Sequence, residues 1–176
     1  NMKKAAQVAL QSRMQNAGQS CIGAKRFIVL KDALDDFMTE VNAQVKNFTQ
    51  GDPFDPSIKT GPMARLDLVE ALEKQMNESV AAGADVIFGG EANGCNFKPA
   101  ILMDVKKGMP AFEEETFGPL ATVIIAKDEE DAVQLANDSE LGLGGSIWTA
   151  DIDKGIALAR KIKSGAVFIN SLVKSD

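Results

Sequence analysis

Apolar residues recur along the chain at two spacings, and the alternation between them predicts its elements. Ala6, Leu10, Met14 and Ala17 fall at helical spacing over residues 3 to about 17, with Gly18 placed to end that helix. Phe27-Ile28-Val29-Leu30 is a continuous apolar run of the buried-strand type. Asp32 is then placed to cap a second helix that turns Leu34, Phe37, Val41, Val45 and Phe48 inward. Three prolines and two glycines between Gly51 and Pro62 predict a surface loop. A third helix follows, with Leu66, Val69, Leu72, Met76 and Val80 on its inner face and Gly83 closing it.

Val86-Ile87-Phe88 before Gly89-Gly90 reads as a strand and a turn. Residues from Pro99 to Met103 read as a short strand at a sheet edge, because proline has no N–H to donate within a central ladder. Residues 104 to 119 look irregular. The last third alternates strand Leu120 to Ala126, helix Asp128 to Asn137, strand Ser146 to Thr149, helix Asp151 to Lys163 and strand Ala166 to Asn170. Apolar strands separated by amphipathic helices predict an α/β fold, an open, twisted, mostly parallel sheet with helices on both faces in three layers. At 176 residues and 45% apolar content, the expectation is one compact domain over residues 1–176. A chain of this size buries roughly 70% of the surface it exposes when unfolded.

Charge narrows the function classes. Against 19 basic residues stand 25 acidic ones, a net charge of -6, and no basic run tracks a phosphate backbone, so nucleic acid is not an expected partner. No stretch approaches the ~20 apolar residues a membrane span needs, and the expectation is a cytoplasmic protein with no membrane partner. With no histidine or tyrosine, the chain lacks the commonest general base and the commonest nitrogen ligand, and no metal site is expected.

Neither a G-x-G-x-x-G nor a P-loop pattern occurs, so the α/β unit has no phosphate cradle of its own. Ser171-Leu172-Val173-Lys174 has the S-x-x-K spacing, yet it follows a strand near the chain end instead of opening a helix. Two cysteines do not make a disulfide framework, and both read as reduced thiols. Cys95 sits between Gly94 and Asn96 in a turn and reads as inert. Cys21 is the better candidate: Gly18 and Gly23 bracket it, allowing close approach to a substrate, and Lys25 and Arg26 follow. On residue chemistry alone Cys21 is either a nucleophile or a small core residue.

Gln15-Asn16-Ala17-Gly18-Gln19-Ser20-Cys21 resembles the Asn-x-Gly-Gln-x-Cys segment around the nucleophile of aldehyde dehydrogenases. At the family's spacing, Glu114-Glu115-Thr116-Phe117-Gly118-Pro119-Leu120 is similar to its Glu-x-Phe-Gly-Pro cofactor motif. Gly51-Asp52-Pro53, Gly61-Pro62-Met63, Ala136-Asn137-Asp138 with Gly142-Leu143, and Gly165 to Asn170 resemble further landmarks in the correct order. The resemblance covers nearly the whole chain.

It implies that Cys21 attacks an aldehyde to give a thiohemiacetal and then a thioester. It also implies that Glu115 accepts hydrogen bonds from the ribose of NAD or NADP, a diol well served by a carboxylate, and that Phe117 packs near the nicotinamide. Ser20, Ile22 and the loop Ser171 to Asp176, including Ser175, match positions that line the substrate tunnel. The similarity is greatest to the branch that includes succinate-semialdehyde dehydrogenases, so succinic semialdehyde is the expected substrate.

Departures from the family pattern qualify this. Some members carry an arginine where this chain has Gln15, suited to a carboxylate tail; Arg13 stands nearby. Ile22 and Gly23 follow the nucleophile, so the second cysteine some members use as a redox switch is lacking. The family's amino-terminal NAD(P)-binding domain, with its general-base glutamate and oxyanion asparagine, has no counterpart here, nor does the carboxy-terminal segment that joins subunits. The expectation is therefore a catalytic-domain fragment, inactive alone, of an enzyme that is a homo-oligomer when complete. The alternatives are a noncatalytic binding or assembly module of the same fold, or a dehydrogenase for another small aldehyde.

Overall fold

The computed structural model describes residues 1–174. Its first helix, α1 (Met2–Met14), opens on Asn1, whose side chain accepts the Lys4 N–H, and buries Ala6, Leu10 and Met14. It ends earlier than its apolar period implies. Asn16, Ala17 and Gly18 take left-handed backbone angles in a short 3-10 turn, so Ala17 reaches the core from the turn and not from the helix.

Strand β1 (Arg26–Leu30) leads through a 3-10 turn, Lys31–Ala33, into α2 (Leu34–Val45). Asp32 does not cap α2; it lies inside that turn, and the cap position falls on Ala33 without a side-chain bond. The loop from Gly51 to Pro62 is irregular, as its prolines require, and is held by one bridge between Gln50 and Thr60. On α3 (Leu66–Ala81) Val69, Leu72 and Met76 face inward, but Leu66 and Val80 are exposed. Ser79 takes the inward place instead, donating to the Gln75 carbonyl and accepting the Ala111 N–H. Gly83 closes the helix in a left-handed conformation.

There follow β2 (Asp85–Phe88), β3 (Ala92–Asn93), β4 (Asn96–Phe97), β5 (Ala100–Met103), the short α4 (Pro110–Glu113), β6 (Leu120–Ala126), α5 (Glu129–Asn137), β7 (Gly144–Ile147), α6 (Ile152–Ala159) and β8 (Ala166–Ile169). The main sheet has the order β1-β6-β5-β2, parallel except for β2. β5 is thus an interior strand, not an edge. Pro99 does not interrupt the ladder because it precedes it: the first bond runs from the Ala100 N–H to the Pro119 carbonyl.

Side chains of β6 alternate between two cores. Leu120 and Ile124 pack with α3 and α4, whereas Ala121 and Val123 pack with α1 and α2. Each fully buried Leu, Ile or Val contributes roughly 1.5–3 kcal/mol, so this strand anchors both layers. β7 and β8 form a separate parallel pair. β7 begins and ends two residues earlier than its apolar run suggests, since Thr149 is taken by Asn170, whose side chain accepts the Thr149 N–H and donates to the Thr149 carbonyl. The helix after β7 is likewise shorter than its pattern and stops at Ala159. No described helix is long and apolar enough to cross a membrane.

Candidate active site

The turn after α1 places Cys21. The Asn16 side chain donates to the Gln19 carbonyl, the Gln19 side chain donates back to the Asn16 carbonyl, and the Gln19 amide oxygen accepts the Ala64 N–H at 2.9 Å from the loop before α3. These bonds hold a left-handed run that would otherwise be unfavourable for Asn16 and Ala17. Ser20 and Gly23 close the next turn through a 3.0 Å bond from the Gly23 N–H to the Ser20 carbonyl. Cys21 stands exposed on that turn, whereas Cys95 is half-buried and lies in the β3–β4 turn.

The segment after α4 returns to the same place. Gly18 packs directly against Gly118, with no room for a Cβ between them. From α3, the Gln75 amide donates to the Glu114 carboxylate at 2.8 Å and to the Glu115 carbonyl at 3.3 Å. A groove of about 610 Å³ results, running between α1, β1 and the β7–β8 pair. Ser20, Cys21, Ile22, Glu115 and Phe117 all line it, so two motifs far apart in sequence meet at one surface. Leu172 and Val173 of the final loop line it too. Ser175 lies outside the described residues. Gln15 is not among the described lining residues; the residue is half-buried, and its buried amide nitrogen finds no partner.

Three cations surround this region. Arg13 is 2% exposed, and its Nη2 donates to the Gly18 carbonyl. Burial lowers the Arg13 guanidinium to about 10, with Glu115 acting in the opposite direction, so it stays charged at neutral pH. Lys25 donates to the Phe112 carbonyl at 3.0 Å. Burial, and secondly the Arg26 charge, lower its ammonium to about 8. Arg26 donates to the carbonyls of Phe112, Leu135 and Asp138 and lies 4.2 Å from the centre of the Phe112 ring. Among the described residues no group of His, Cys, Asp or Glu could hold a metal ion.

Gln75 is a group the sequence reading missed, and Arg13 entered it only as a cation near Gln15, not as a buried partner of the Gly18 turn. One signal for Arg13 was available: it stands seven residues after Ala6, at a core-facing position of the helical period. Gln75 had none, because its partners come from another element.

The other landmarks knit the groove's far wall. The Asn137 side chain donates to the Lys161 carbonyl and accepts the Lys163 N–H, while the Gly165 N–H donates to the Gly142 carbonyl. Residues 1–176 match the model of the aldehyde dehydrogenase family. The chain belongs to the aldehyde dehydrogenase family.

Among curated relatives it is 40% identical over 179 residues to the NAD(P)+ succinate semialdehyde dehydrogenase Sad of Escherichia coli (strain K12), covering 100% of this chain and 39% of that protein. It is 39% identical over 165 residues to the NADP(+) succinate-semialdehyde dehydrogenase of Deinococcus radiodurans, covering 92% of this chain and 35% of the relative. A crystal structure of succinic semialdehyde dehydrogenase from Streptococcus pyogenes, in complex with NADP+, superposes with a TM-score of 0.94 at 34% identity, covering 99% of this chain and 39% of that one. The aldehyde dehydrogenase chain thus spans about two fifths of the length of the curated relatives it matches.

Proposed function

We propose that this chain supplies the nucleophile-bearing part of an NAD- or NADP-dependent enzyme that oxidises succinic semialdehyde to succinate. The observation that carries the reading is the shared groove: an exposed Cys21 on a surface that Glu115 and Phe117 also line. The relatives named for succinate semialdehyde support the substrate.

In this reading the Cys21 thiolate adds to the aldehyde carbon, and the carbonyl electron pair moves to oxygen to give a thiohemiacetal oxyanion. The Cys21 backbone N–H stabilises that oxyanion. As the C=O bond reforms, the aldehydic hydrogen leaves with its electron pair, and the substrate remains on Cys21 as a thioester. Water adds to the thioester carbonyl and the C–S bond breaks, releasing the carboxylic acid and the free thiol.

When bound, NAD or NADP supplies the hydride acceptor. The residues present fit it: Glu115 and Phe117 line the groove, the Glu115 carboxylate would accept from the ribose hydroxyls, and Phe117, 38% exposed, would pack near the nicotinamide. The general base and a second oxyanion donor come from the nucleotide-binding domain, so the 176-residue chain alone turns over no aldehyde.

The test pairs these residues with their nucleotide-binding domain and measures NAD and NADP reduction with succinic semialdehyde and a panel of uncharged aldehydes. A preference for succinic semialdehyde that Cys21→Ala abolishes is the expected result. Comparable rates across the panel would overturn the substrate, and unchanged rates in Cys21→Ala would overturn the nucleophile.

A further inference from the structure

Arg13 is the least expected charge in the molecule, a guanidinium buried as deeply as the core residues around it. A buried cation costs several kcal/mol of desolvation unless its surroundings compensate. Here the compensation is specific. Nη2 donates to the Gly18 carbonyl, at the apex of the left-handed turn that presents Cys21. The Cζ atom lies 3.8 Å from where a Cβ on Gly23 would stand, behind the Ser20 and Ser12 carbonyl oxygens at 3.0 and 3.3 Å, so the guanidinium also neighbours the second glycine bracketing Cys21. Glu115 is near enough for its charge to favour the protonated guanidinium, and both residues line the Cys21 groove. Nε is buried without a partner, so the group is not placed to optimise its own bonding.

A core position on α1 would be filled more cheaply by an apolar side chain. What methionine or leucine cannot do is bond a turn carbonyl. We propose that Arg13 is a positioning residue: its guanidinium, bonded to the Gly18 carbonyl, fixes the turn that presents Cys21 to the groove. The inference rests on the aldehyde-oxidising reading of the groove. Lysine cannot substitute fully, because its single ammonium ends nearer the backbone than Nη2 and does not place a donor at the Gly18 carbonyl.

The first readout needs no cofactor. In the 176-residue chain, Arg13→Lys speeds amide hydrogen exchange at Gln19 and Gly23 by at least about tenfold, while exchange along β6 is unchanged. The second uses the enzyme with its nucleotide-binding domain. There Arg13→Lys and Arg13→Met both lower kcat by about tenfold or more while cofactor KM stays within about twofold of wild type. Should Arg13→Met not fold, Arg13→Lys and its exchange pattern carry the test alone. Exchange that accelerates uniformly through the chain, or an enzyme with normal kcat and KM and only a lower Tm, overturns the inference. Failure of the wild-type enzyme to oxidise any aldehyde overturns the functional reading instead, and leaves the exchange result to judge the turn.

Discussion

A Cβ built on Gly18 falls 2.0 Å from the carbonyl oxygen of Gly118, so the turn that leads to Cys21 and the segment that carries Glu115 and Phe117 touch backbone to backbone. Gly18 also has φ +71, where a side chain is strained even in open space. Gly18→Ala is therefore expected to cost at least about 3 kcal/mol or to prevent folding. Gly83→Ala is the control, with φ +107 but nothing within 4 Å, and costs only about 1 kcal/mol. Urea unfolding of the two variants measures the contrast; equal losses would mean that the contact does not matter.

Cys21 and Cys95 differ in access. The first is exposed on a groove and the second is half-buried in a turn whose carbonyl accepts the Met63 N–H at 2.8 Å. Iodoacetamide is expected to label Cys21 at least about tenfold faster than Cys95, followed by peptide mass mapping over time. Equal, slow labelling of both would favour a noncatalytic module of the same fold.

Arg26 ties two chain segments, α4 and the end of α5, to β1. Its guanidinium satisfies the carbonyls of Phe112, Leu135 and Asp138, at 2.8, 3.0 and 2.9 Å, and lies over the Phe112 ring. Truncation leaves the Asp138 carbonyl at the end of α5 without a donor and removes the Phe112 ring contact, so Arg26→Met is expected to destabilise by about 1–3 kcal/mol. Arg26→Lys recovers less than half of that, because one ammonium cannot span all three acceptors. Denaturant midpoints at constant m-value decide it.

Lys25 gives stability a pH dependence. Its ammonium titrates near 8 in the folded chain, against 10.5 when unfolded, because burial disfavours the charge. Between these values the unfolded chain holds a proton that the folded chain has released. The contribution of Lys25 to stability therefore increases as pH rises from about 8 towards 10.5, and below that window its charged form is a burden. The difference in unfolding free energy between the wild type and Lys25→Met should change across that window and be flat below it. A difference that does not vary with pH would remove Lys25 as the cause.

The element order was legible because each apolar run has a single period. β6 is apolar at nearly every position, and only a strand buried on both faces needs that. The places where the reading failed share one cause. Pro99 reads as an edge signal when its position relative to the first ladder bond is unknown. Leu66 and Val80 fit the helical period, but Leu66 opens α3 where little packs on it, and near the other end Ser79, bonded to Ala111, takes the inward place and turns Val80 out. Asp32 has the right chemistry for a cap, and a 3-10 turn moved the helix start past it.

By itself, the sequence determined the α/β alternation and the two motifs that resemble a nucleophile segment and a cofactor segment, since local spacing and residue chemistry suffice for both. Only the tertiary structure decided that Cys21, Glu115 and Phe117 share a groove, that Arg13 lies buried beneath Gly18, and that β5 is an interior strand. Each of those depends on which distant segment packs against which. That outcome is set by the summed burial of the whole core, and no local pattern records it.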